Sequence, residues 1–274
     1  MTVASLREVL SRAVATKSAV AGLVVLGWED ARAFVEAAEE TGLPIILQAG
    51  PGARAYTPVA ILGKMFRVLA EGASVPIVCH IDHALTVEEC RAGIDAGFSS
   101  VMIDGSKLEL AANIEITSRV IEIAHKAGVS VEGEIGYVGY NQGAASAPTS
   151  PHDAARFERE TGVDALAISI GNVHLNTEKS ALIDFAALQK IEALTKAPLV
   201  LHGGSGIPLE ARQKLARQTR VKKFNFGTEL RMAFGTALRK SLADKPEEFD
   251  RIKLLSATIP ALRQATASLL LNLS

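Results

Sequence analysis

The 274-residue chain has only two cysteines, few aromatic residues and almost no net charge. Cys79 and Cys90 cannot build a disulfide framework, which indicates a reducing, cytoplasmic location. The net charge of −1, without a long run of one sign, argues against nucleic acid or an anionic membrane as a partner. We find no apolar run near the ~20 residues of a membrane span, and no signal-peptide pattern at the start. Any phosphate recognition must therefore be local.

Strand-like and helix-like segments alternate along the chain. The eight strand-like segments are continuously apolar, which is typical of a parallel sheet covered by helices. Eight such units favour a closed barrel over an open doubly wound sheet, and the length suits a barrel of about 250 residues. The predicted fold is therefore an α/β, (β/α)8 TIM barrel with an N-terminal helix. We expect one domain over 1–274, which ends in extra C-terminal helices at about 246–274. The predicted strands are 20–26, 44–48, 75–81, 100–104, 130–135, 165–170, 198–201 and 221–224.

The stretch CHIDHA at 79–84 closes the third predicted strand with a carboxylate beside an imidazole, Asp82 and His83. That pair suits an acid/base group next to a metal ligand. His174 and His202 follow the sixth and seventh strands in the same way. Because barrels gather their functional groups at the C-terminal ends of strands, we expect the three histidines to converge. Together they predict a Zn²⁺ site with its fourth position open.

Three other polar residues near these strand ends have less specific patterns. Asp104 ends the fourth strand and Glu134 lies in the fifth, where each could act near a metal or cap the following helix. His80 lies three residues before His83, so on an extended strand it should face the other way. We interpret His80 as a hydrogen-bonded core residue.

Two glycine-rich turns predict a phosphate site. The first, HGGSG at 202–206, follows the seventh strand, and the second, NFGTE at 225–229, follows the eighth and opens a helix. Glycines let the backbone approach an anion, a helix N-terminus attracts it, and Ser205 and Thr228 add hydroxyl donors. Barrels commonly hold phosphate after strands seven and eight. The pair therefore favours a phosphorylated substrate.

Taken together, the motifs resemble the class II, zinc-dependent ketose-bisphosphate aldolases, the fructose- and tagatose-bisphosphate aldolase family. The resemblance implies an aldehyde-lyase of carbohydrate metabolism, such as glycolysis. It would cleave a fructose or tagatose 1,6-bisphosphate-like sugar, or a ketose 1-phosphate, reversibly to dihydroxyacetone phosphate and an aldehyde. The matching stretches are CHIDHA (79–84), SVMIDGS (100–106), VEGEIG (131–136), TGVDALA (161–167), LHGGSG (201–206) and NFGTEL (225–230).

The same resemblance implies residue roles and partners. Asp82 would be the catalytic acid/base on the C4 hydroxyl. It also implies one catalytic Zn²⁺ per subunit, a monovalent cation (Na⁺ or K⁺) near the phosphate, and a homodimer or homotetramer. The implied metal residues are His83, His174 and His202, with Asp104 and Glu134 as a second site or outer shell. The implied substrate and phosphate residues are Leu175, Gly203, Gly204, Ser205, Asn225, Phe226, Gly227 and Thr228.

The chain departs from the family where the family binds the distal, C6 phosphate. The usual Asn-x-x-Asn pair is replaced by 26–29, the usual serine by Gly50, and a neighbouring subunit's arginine by Ile259. Their joint absence predicts a different aldehyde half, because buried donors without a matching phosphate would be costly. We expect a ketose 1-phosphate, or a bisphosphate held differently, for example by Arg54 or Arg263.

Two further departures concern the near side of the site. Leu175 stands where a glycine normally follows the zinc histidine, and the loop 136–152 lacks the acids that help protonate the enediolate. Tyr140 or water is expected to substitute. Two alternative functions stay open. One is a non-catalytic aldolase-like partner subunit, and the other is a metal-dependent sugar-phosphate barrel enzyme such as an epimerase, whose metal site would be rich in carboxylates.

Overall fold

The computed structural model describes residues 2–140, 143 and 145–274. Eight parallel strands close into a barrel in chain order, and the eighth pairs with the first. The predicted (β/α)8 barrel is therefore confirmed. Asn141, Gln142 and Ala144, which belong to the acid-free loop, lie outside the described residues. The strands are β1 (Val20–Val24), β2 (Ile45–Ala49), β3 (Ile77–Ala84), β4 (Ser100–Ile103), β5 (Ser130–Ile135), β6 (Ala165–Ile168), β7 (Leu199–Leu201) and β8 (Val221–Phe226).

Helices follow the strands and cover the barrel. A short helix after β2 begins at Pro51, where the missing N–H of proline needs no partner. The helices are α1 (Leu6–Thr16), α2 (Trp28–Thr41), α3 (Pro51–Tyr56), α4 (Val59–Gly72), α5 (Val87–Asp95), α6 (Leu110–Lys126), α7 (Pro151–Thr161), α8 (Phe185–Leu194), α9 (Leu209–Gln218), α10 (Thr228–Asp244), α11 (Arg251–Ser256) and α12 (Ile259–Leu273).

The N-terminal helix α1 closes the bottom of the barrel. Its Leu6 and Leu10 are buried in one cluster with inward-facing strand residues such as Ile46, Val78 and Val200. Burying apolar area in this way stabilises by about 25 cal/mol per Å². Because this end is plugged by aliphatic side chains, the polar groups inside the barrel collect at the opposite, C-terminal end of the strands.

The C-terminal helix α12 packs along α2 and contacts α9 and α10 as well. By length and composition alone, the segment Arg251–Leu273 is apolar enough to cross a membrane, which the sequence analysis did not expect. The structure breaks it into α11 and α12 at Ala257 and Thr258. Leu262, Leu270 and Leu273 of α12 are buried against the barrel body, so the apolar side of α12 serves the core.

Candidate active site

Strand β3 runs three residues further than predicted and ends in an irregular backbone. Its pairing with β4 shifts between Ile81 and Ala84, and His83 has a φ of +51°. That left-handed conformation costs of order 1–3 kcal/mol for a residue other than glycine, so neighbouring contacts must stabilise it. It also turns the His83 ring toward the barrel axis, where its Nδ1 lies 2.7 Å from Asp104 Oδ2.

Arg54 of α3 holds this backbone in place. Its Nη1 donates to the carbonyls of Ala49 and Asp82, each at 2.6 Å, and its Nη2 donates to His83 O at 3.1 Å. Glu89 Oε2 pairs with the guanidinium at 3.3 Å. Both Nη atoms of Arg54 are thus engaged with main-chain carbonyls at the ends of β2 and β3. Arg54 does not line the central cavity, so this cavity lends no support to the suggestion that Arg54 binds a distal phosphate.

The three strand-end histidines meet above the barrel. One ring nitrogen each of His83, His174 and His202 lie within 4.8 Å of one another. His174 is positioned by its backbone, because its N–H donates to Gly139 O at 2.8 Å and Tyr140 stacks on its ring. Burial, with the neighbouring imidazoles adding to it, lowers the pKa of His174 to about 3. A neutral imidazole is the form that binds a metal.

His202 is oriented by a buried charge network that runs beneath this cluster. Its Nε2 lies 3.0 Å from Glu132 Oε1, while Lys223 Nζ donates to Glu132 Oε2 at 2.6 Å. All three side chains are fully buried. Burial opposes ionisation of Glu132, but Lys223 and His202 outweigh it and hold the pKa of Glu132 below its usual value. Glu132 therefore fixes the ring so that Nδ1 faces the cluster, as metal-bound histidines usually require.

A second potential ligand group shares His83. The ligand atoms of His83, Asp104 and Glu134 also lie within 4.8 Å of one another. Glu134 Oε2 is 3.3 Å from His202 Nδ1, and among the described residues neither atom has a hydrogen-bond partner. Ser106 donates through its N–H and its hydroxyl to Asp104 Oδ1. A buried imidazole nitrogen and a buried carboxylate oxygen that both lack a hydrogen-bond partner are better explained by a bound cation than by direct contact with each other.

Asp82 is buried beside the histidines and faces the cavity. Asn225 Nδ2 donates to its Oδ1 at 3.1 Å, and the exposed fraction of Asp82 is 5%. Burial raises the pKa of this carboxyl group, but the facing cations His83 and Lys223 outweigh burial and keep the pKa below its usual value. Asp82 is therefore an ionised acceptor, ready to take a proton. Asn225 reaches it because β8 extends to Phe226, two residues beyond its predicted end.

His80 does not face away from the site as the sequence suggested. It points into the barrel one layer below, with Nδ1 2.8 Å from Ser100 Oγ and Nε2 3.7 Å from Glu132 Oε2. The expectation assumed that His83 stays extended, whereas its left-handed backbone breaks the alternation of faces. Burial, reinforced by the Lys223 charge, lowers the pKa of His80 to about 3. It is a hydrogen-bonded core residue.

The two glycine-rich turns lie side by side at the cavity wall. Ser205 Oγ accepts from the Glu229 N–H at 3.2 Å, which joins the β7 turn to the start of α10. Gly203 has a φ of +65°, and a Cβ there would stand 2.2 Å from Val173 O, so only glycine fits. Gly204 and Phe226 are buried and do not line this cavity. The predicted phosphate residues that line the cavity are Leu175, Gly203, Ser205, Asn225, Gly227 and Thr228.

Arg212, which sequence reasoning missed, anchors both turns from behind. It is almost fully buried and donates to the carbonyls of Ile207 and Ser205. Its Nη2 pairs with Glu229 Oε1 at 3.0 Å, and its guanidinium lies 4.8 Å from the centre of the Phe226 ring. A long cationic side chain on a helix gives no sequence signal for such a role, because most arginines there are exposed.

Leu175 and Tyr140 occupy the rim of the cavity. Leu175 has a φ of +55°, the conformation that a glycine adopts without strain, and half of its surface is exposed. Tyr140 stacks on His174 with the ring centres 5.1 Å apart and borders the cavities on both sides of the histidines. Burial and the nearby Tyr137 and Asp104 raise the pKa of the Tyr140 hydroxyl. It stays protonated at neutral pH.

His83, His174, Asp82 and the two turns line one cavity of about 320 Å³. Its side near β1 is formed by Val24, Leu26 and Gly50, none of which offers a side-chain hydrogen bond. Ile259 is buried on α12. Arg263 faces Glu36 and Glu40 of α2, so within this chain it does not reach the cavity.

Comparison with known proteins agrees with this geometry. A family model described as class-II fructose-bisphosphate aldolase matches residues 4–273. A fructose-bisphosphate aldolase from Geobacillus stearothermophilus is 38% identical over 262 residues, which cover 93% of this chain and 91% of that protein. A 6-phospho-5-dehydro-2-deoxy-D-gluconate aldolase from Shouchella clausii is also 38% identical, over 88% of this chain and 83% of its own length.

A solved structure of an aldolase has the same fold. The YdjI aldolase from Escherichia coli K12 superimposes with a TM-score of 0.85 at 27% identity. The match covers 99% of this chain and 97% of that one. The likeness therefore extends from the first strand to the C-terminal helix.

Proposed function

This chain belongs to the class II fructose-bisphosphate aldolase family, and on that premise we propose that it is a zinc-dependent aldolase releasing dihydroxyacetone phosphate. It is an aldehyde-lyase of carbohydrate metabolism that acts on sugar phosphates. The convergence of His83, His174 and His202 beside Asp82 carries the proposal. Three imidazoles favour Zn²⁺. The carboxylates Asp104 and Glu134 belong to the second group, which shares only His83 with the three histidines.

The residues fit a bound zinc ion. His202 Nδ1 is buried without a hydrogen-bond partner among the described residues, and its other nitrogen is held by Glu132. We assign one catalytic Zn²⁺ per subunit to the three histidines. Asp104 and Glu134 form a second position or orient the ligands. The ion would supply a Lewis acid that stabilises negative charge on the ketose oxygens.

Asp82 performs the proton transfer that starts cleavage. Its carboxylate takes the proton of the C4 hydroxyl group, the C4–O bond becomes a carbonyl, and the C3–C4 bond breaks. The bonding electrons remain on the three-carbon half as an enediolate, while the aldehyde leaves. A proton then returns to C3 and yields dihydroxyacetone phosphate, with the Tyr140 hydroxyl or water as its source. Asn225 keeps Asp82 oriented through its 3.1 Å hydrogen bond.

The turns after β7 and β8 are proposed to hold the phosphate of the three-carbon half. Gly203 and Leu175 would offer backbone N–H groups there, and Ser205 and Thr228 hydroxyl groups. The start of α10 adds the favourable end of a helix dipole. Its N-cap residue, Gly227, supplies no side-chain cap, although Ser205 Oγ accepts from the Glu229 N–H. A monovalent cation beside this phosphate, a homodimer or homotetramer, and a cytoplasmic location complete the proposal.

The neutral wall formed by Val24, Leu26 and Gly50 supports a substrate other than an ordinary fructose 1,6-bisphosphate. The relative from Shouchella clausii acts, by its name, on a phosphorylated keto sugar acid rather than a bisphosphate. We therefore propose a ketose 1-phosphate, or a bisphosphate bound by other contacts.

A cleavage screen with the zinc-loaded protein tests the function. Fructose and tagatose 1,6-bisphosphates and ketose 1-phosphates are compared, with dihydroxyacetone phosphate read through a coupled reductase. Asp82→Asn should bind zinc normally but lower kcat by roughly 10²–10⁴-fold, because the general base is lost. Absence of cleavage for every sugar, with zinc bound, would favour the non-catalytic partner subunit instead.

A further inference from the structure

We propose that Arg231 determines substrate specificity by binding a terminal anionic group, a carboxylate or a phosphate, on the aldehyde half. The inference rests on the proposed function, since it names the chemistry at the far end of the same substrate. Neither the glycine turns nor the metal cluster accounts for this residue.

Arg231 is the one lysine or arginine among the described residues that line the central cavity. It lies on α10, one turn after Thr228. Its Nη2 is 3.6 Å from the point where a Cβ on Gly227 would stand, and Val24 Cγ2 is 3.3 Å from that same point. The guanidinium therefore borders the corner of the cavity formed by β1 and β8, beside the neutral wall.

The guanidinium is available for a ligand. The backbone N–H of Arg231 donates to Gly227 O at 2.9 Å within α10. Among the described residues, its guanidinium makes neither an ion pair within 4.0 Å nor a hydrogen bond. The acids on the neighbouring turn are Glu29 and Asp30. Asp30 uses its Oδ2 to accept from the N–H groups of Leu26 and Gly27 at 2.9 and 3.1 Å. Burial raises the pKa of Asp30, and the charge of Arg231 opposes that shift without an ion pair within 4.0 Å. Asp30 is thus held at the start of α2, and the guanidinium stays open to a ligand.

An anion is the ligand that this corner can recognise. Val24, Leu26 and Gly50 provide no side-chain donor, so the hydroxyl groups of a neutral terminus would find few partners here to replace water. A guanidinium instead offers paired N–H groups that match a carboxylate or a phosphate in a planar, two-point contact. The three distal-phosphate contacts of the family are missing, and Arg231 supplies a different one from within this chain.

The competing possibility is that Arg231 binds the near phosphate together with Thr228. Two assays on the zinc-loaded enzyme distinguish these roles. The first follows exchange of the C3 proton of dihydroxyacetone phosphate with deuterated water by NMR, which requires no aldehyde half. The second measures kcat/KM for cleavage of three sugars: fructose 1,6-bisphosphate, fructose 1-phosphate, and a ketose 1-phosphate ending in a carboxylate.

We expect the wild type to prefer one of the two anion-ended sugars, and which one identifies the anion as phosphate or carboxylate. Arg231→Met should lower kcat/KM for that sugar by roughly tenfold or more. Proton exchange and fructose 1-phosphate cleavage should stay within about twofold. Arg231→Lys should restore part of the loss. Arg239→Met is the matched control, because Arg239 is exposed on the same helix and lies outside the cavity lining.

Two results would overturn the inference. One is an equal loss of exchange and cleavage in Arg231→Met, which would assign Arg231 to the near phosphate. The other is an unchanged ratio between anion-ended and neutral sugars. Failure of the proposed function looks different, since the wild type would then show neither exchange nor cleavage with zinc bound.

Discussion

Arg54 offers the clearest test of how the fold positions the proposed metal site. In Arg54→Met, the methionine can fill much of the volume but cannot donate to the carbonyls of Ala49, Asp82 and His83. Those groups are partly shielded, since only 12% of the Arg54 side chain is exposed. The strained backbone of His83 would then lose the contacts that stabilise it.

The size of the effect follows from these contacts. A hydrogen bond to a charged group contributes about 1.5–3 kcal/mol. The three bonds are not additive, and water can reach some of the freed carbonyls. We expect the free energy of unfolding to fall by about 3 kcal/mol. The partly exposed pair with Glu89 adds at most about 1 kcal/mol. Relaxation of His83 should also weaken zinc binding by about tenfold.

The assay combines urea unfolding of the zinc-free protein with zinc competition against a chromophoric chelator. Arg54→Lys, which can reach one or two of the carbonyls, should recover part of both losses. Arg67→Met is the control, because its pair with Glu71 lies on the exposed face of α4. If Arg54→Met loses stability but keeps wild-type zinc affinity, the hydrogen bonds of Arg54 stabilise the fold without positioning His83, and the reasoning about His83 is wrong.

Three further predictions concern buried or strained residues. Glu132→Gln leaves Lys223 charged and uncompensated, so we expect a loss of about 3–5 kcal/mol in urea unfolding, and Glu132→Gln with Lys223→Met should recover much of it. His80 has a folded pKa of about 3, below the unfolded value near 6.5, so the unfolded state binds the extra proton between these pH values. Zinc-free wild type should therefore lose stability as the pH falls below 6.5, with a slope from this group that approaches about 1.4 kcal/mol per pH unit, and His80→Asn should show a correspondingly smaller slope. The free energy of unfolding of Leu175→Gly should exceed that of Leu175→Ala by about 1 kcal/mol, because both variants remove the side chain but only glycine adopts the left-handed backbone without strain. Equal stabilities of the two variants would contradict the strain at Leu175.

Much of the fold could be predicted because most strands begin as apolar runs and several helices have a capping residue before them. Ser5 and Thr86 cap α1 and α5, for example, as their positions before the helices suggest. The ends of β3 and β8 were placed too early. Their last residues are polar and look like loop, whereas pairing across the closed barrel keeps them in the sheet.

The cluster of histidines was predictable from strand ends, since parallel strands of one barrel end on the same side. The residues that support these histidines could not be predicted in the same way. Lys223 and Glu132 look like ordinary polar strand residues, and only the barrel's interior brings them within 2.6 Å of each other. Arg54 looked like a free cation because its hydrogen bonds to three main-chain carbonyls depend on the fold and leave no pattern in the sequence. Arg231 gave no signal, because its place at the cavity depends on how α10 leaves β8.

Zinc titration of the metal-free protein tests the central claim most directly. Dihydroxyacetone phosphate release is measured from the best sugar of the screen while zinc is added in steps. We predict a linear rise that breaks at one zinc per chain, and no such rise in His202→Asn at the same zinc concentrations. Full activity without zinc, or wild-type activity in His202→Asn, would contradict the account.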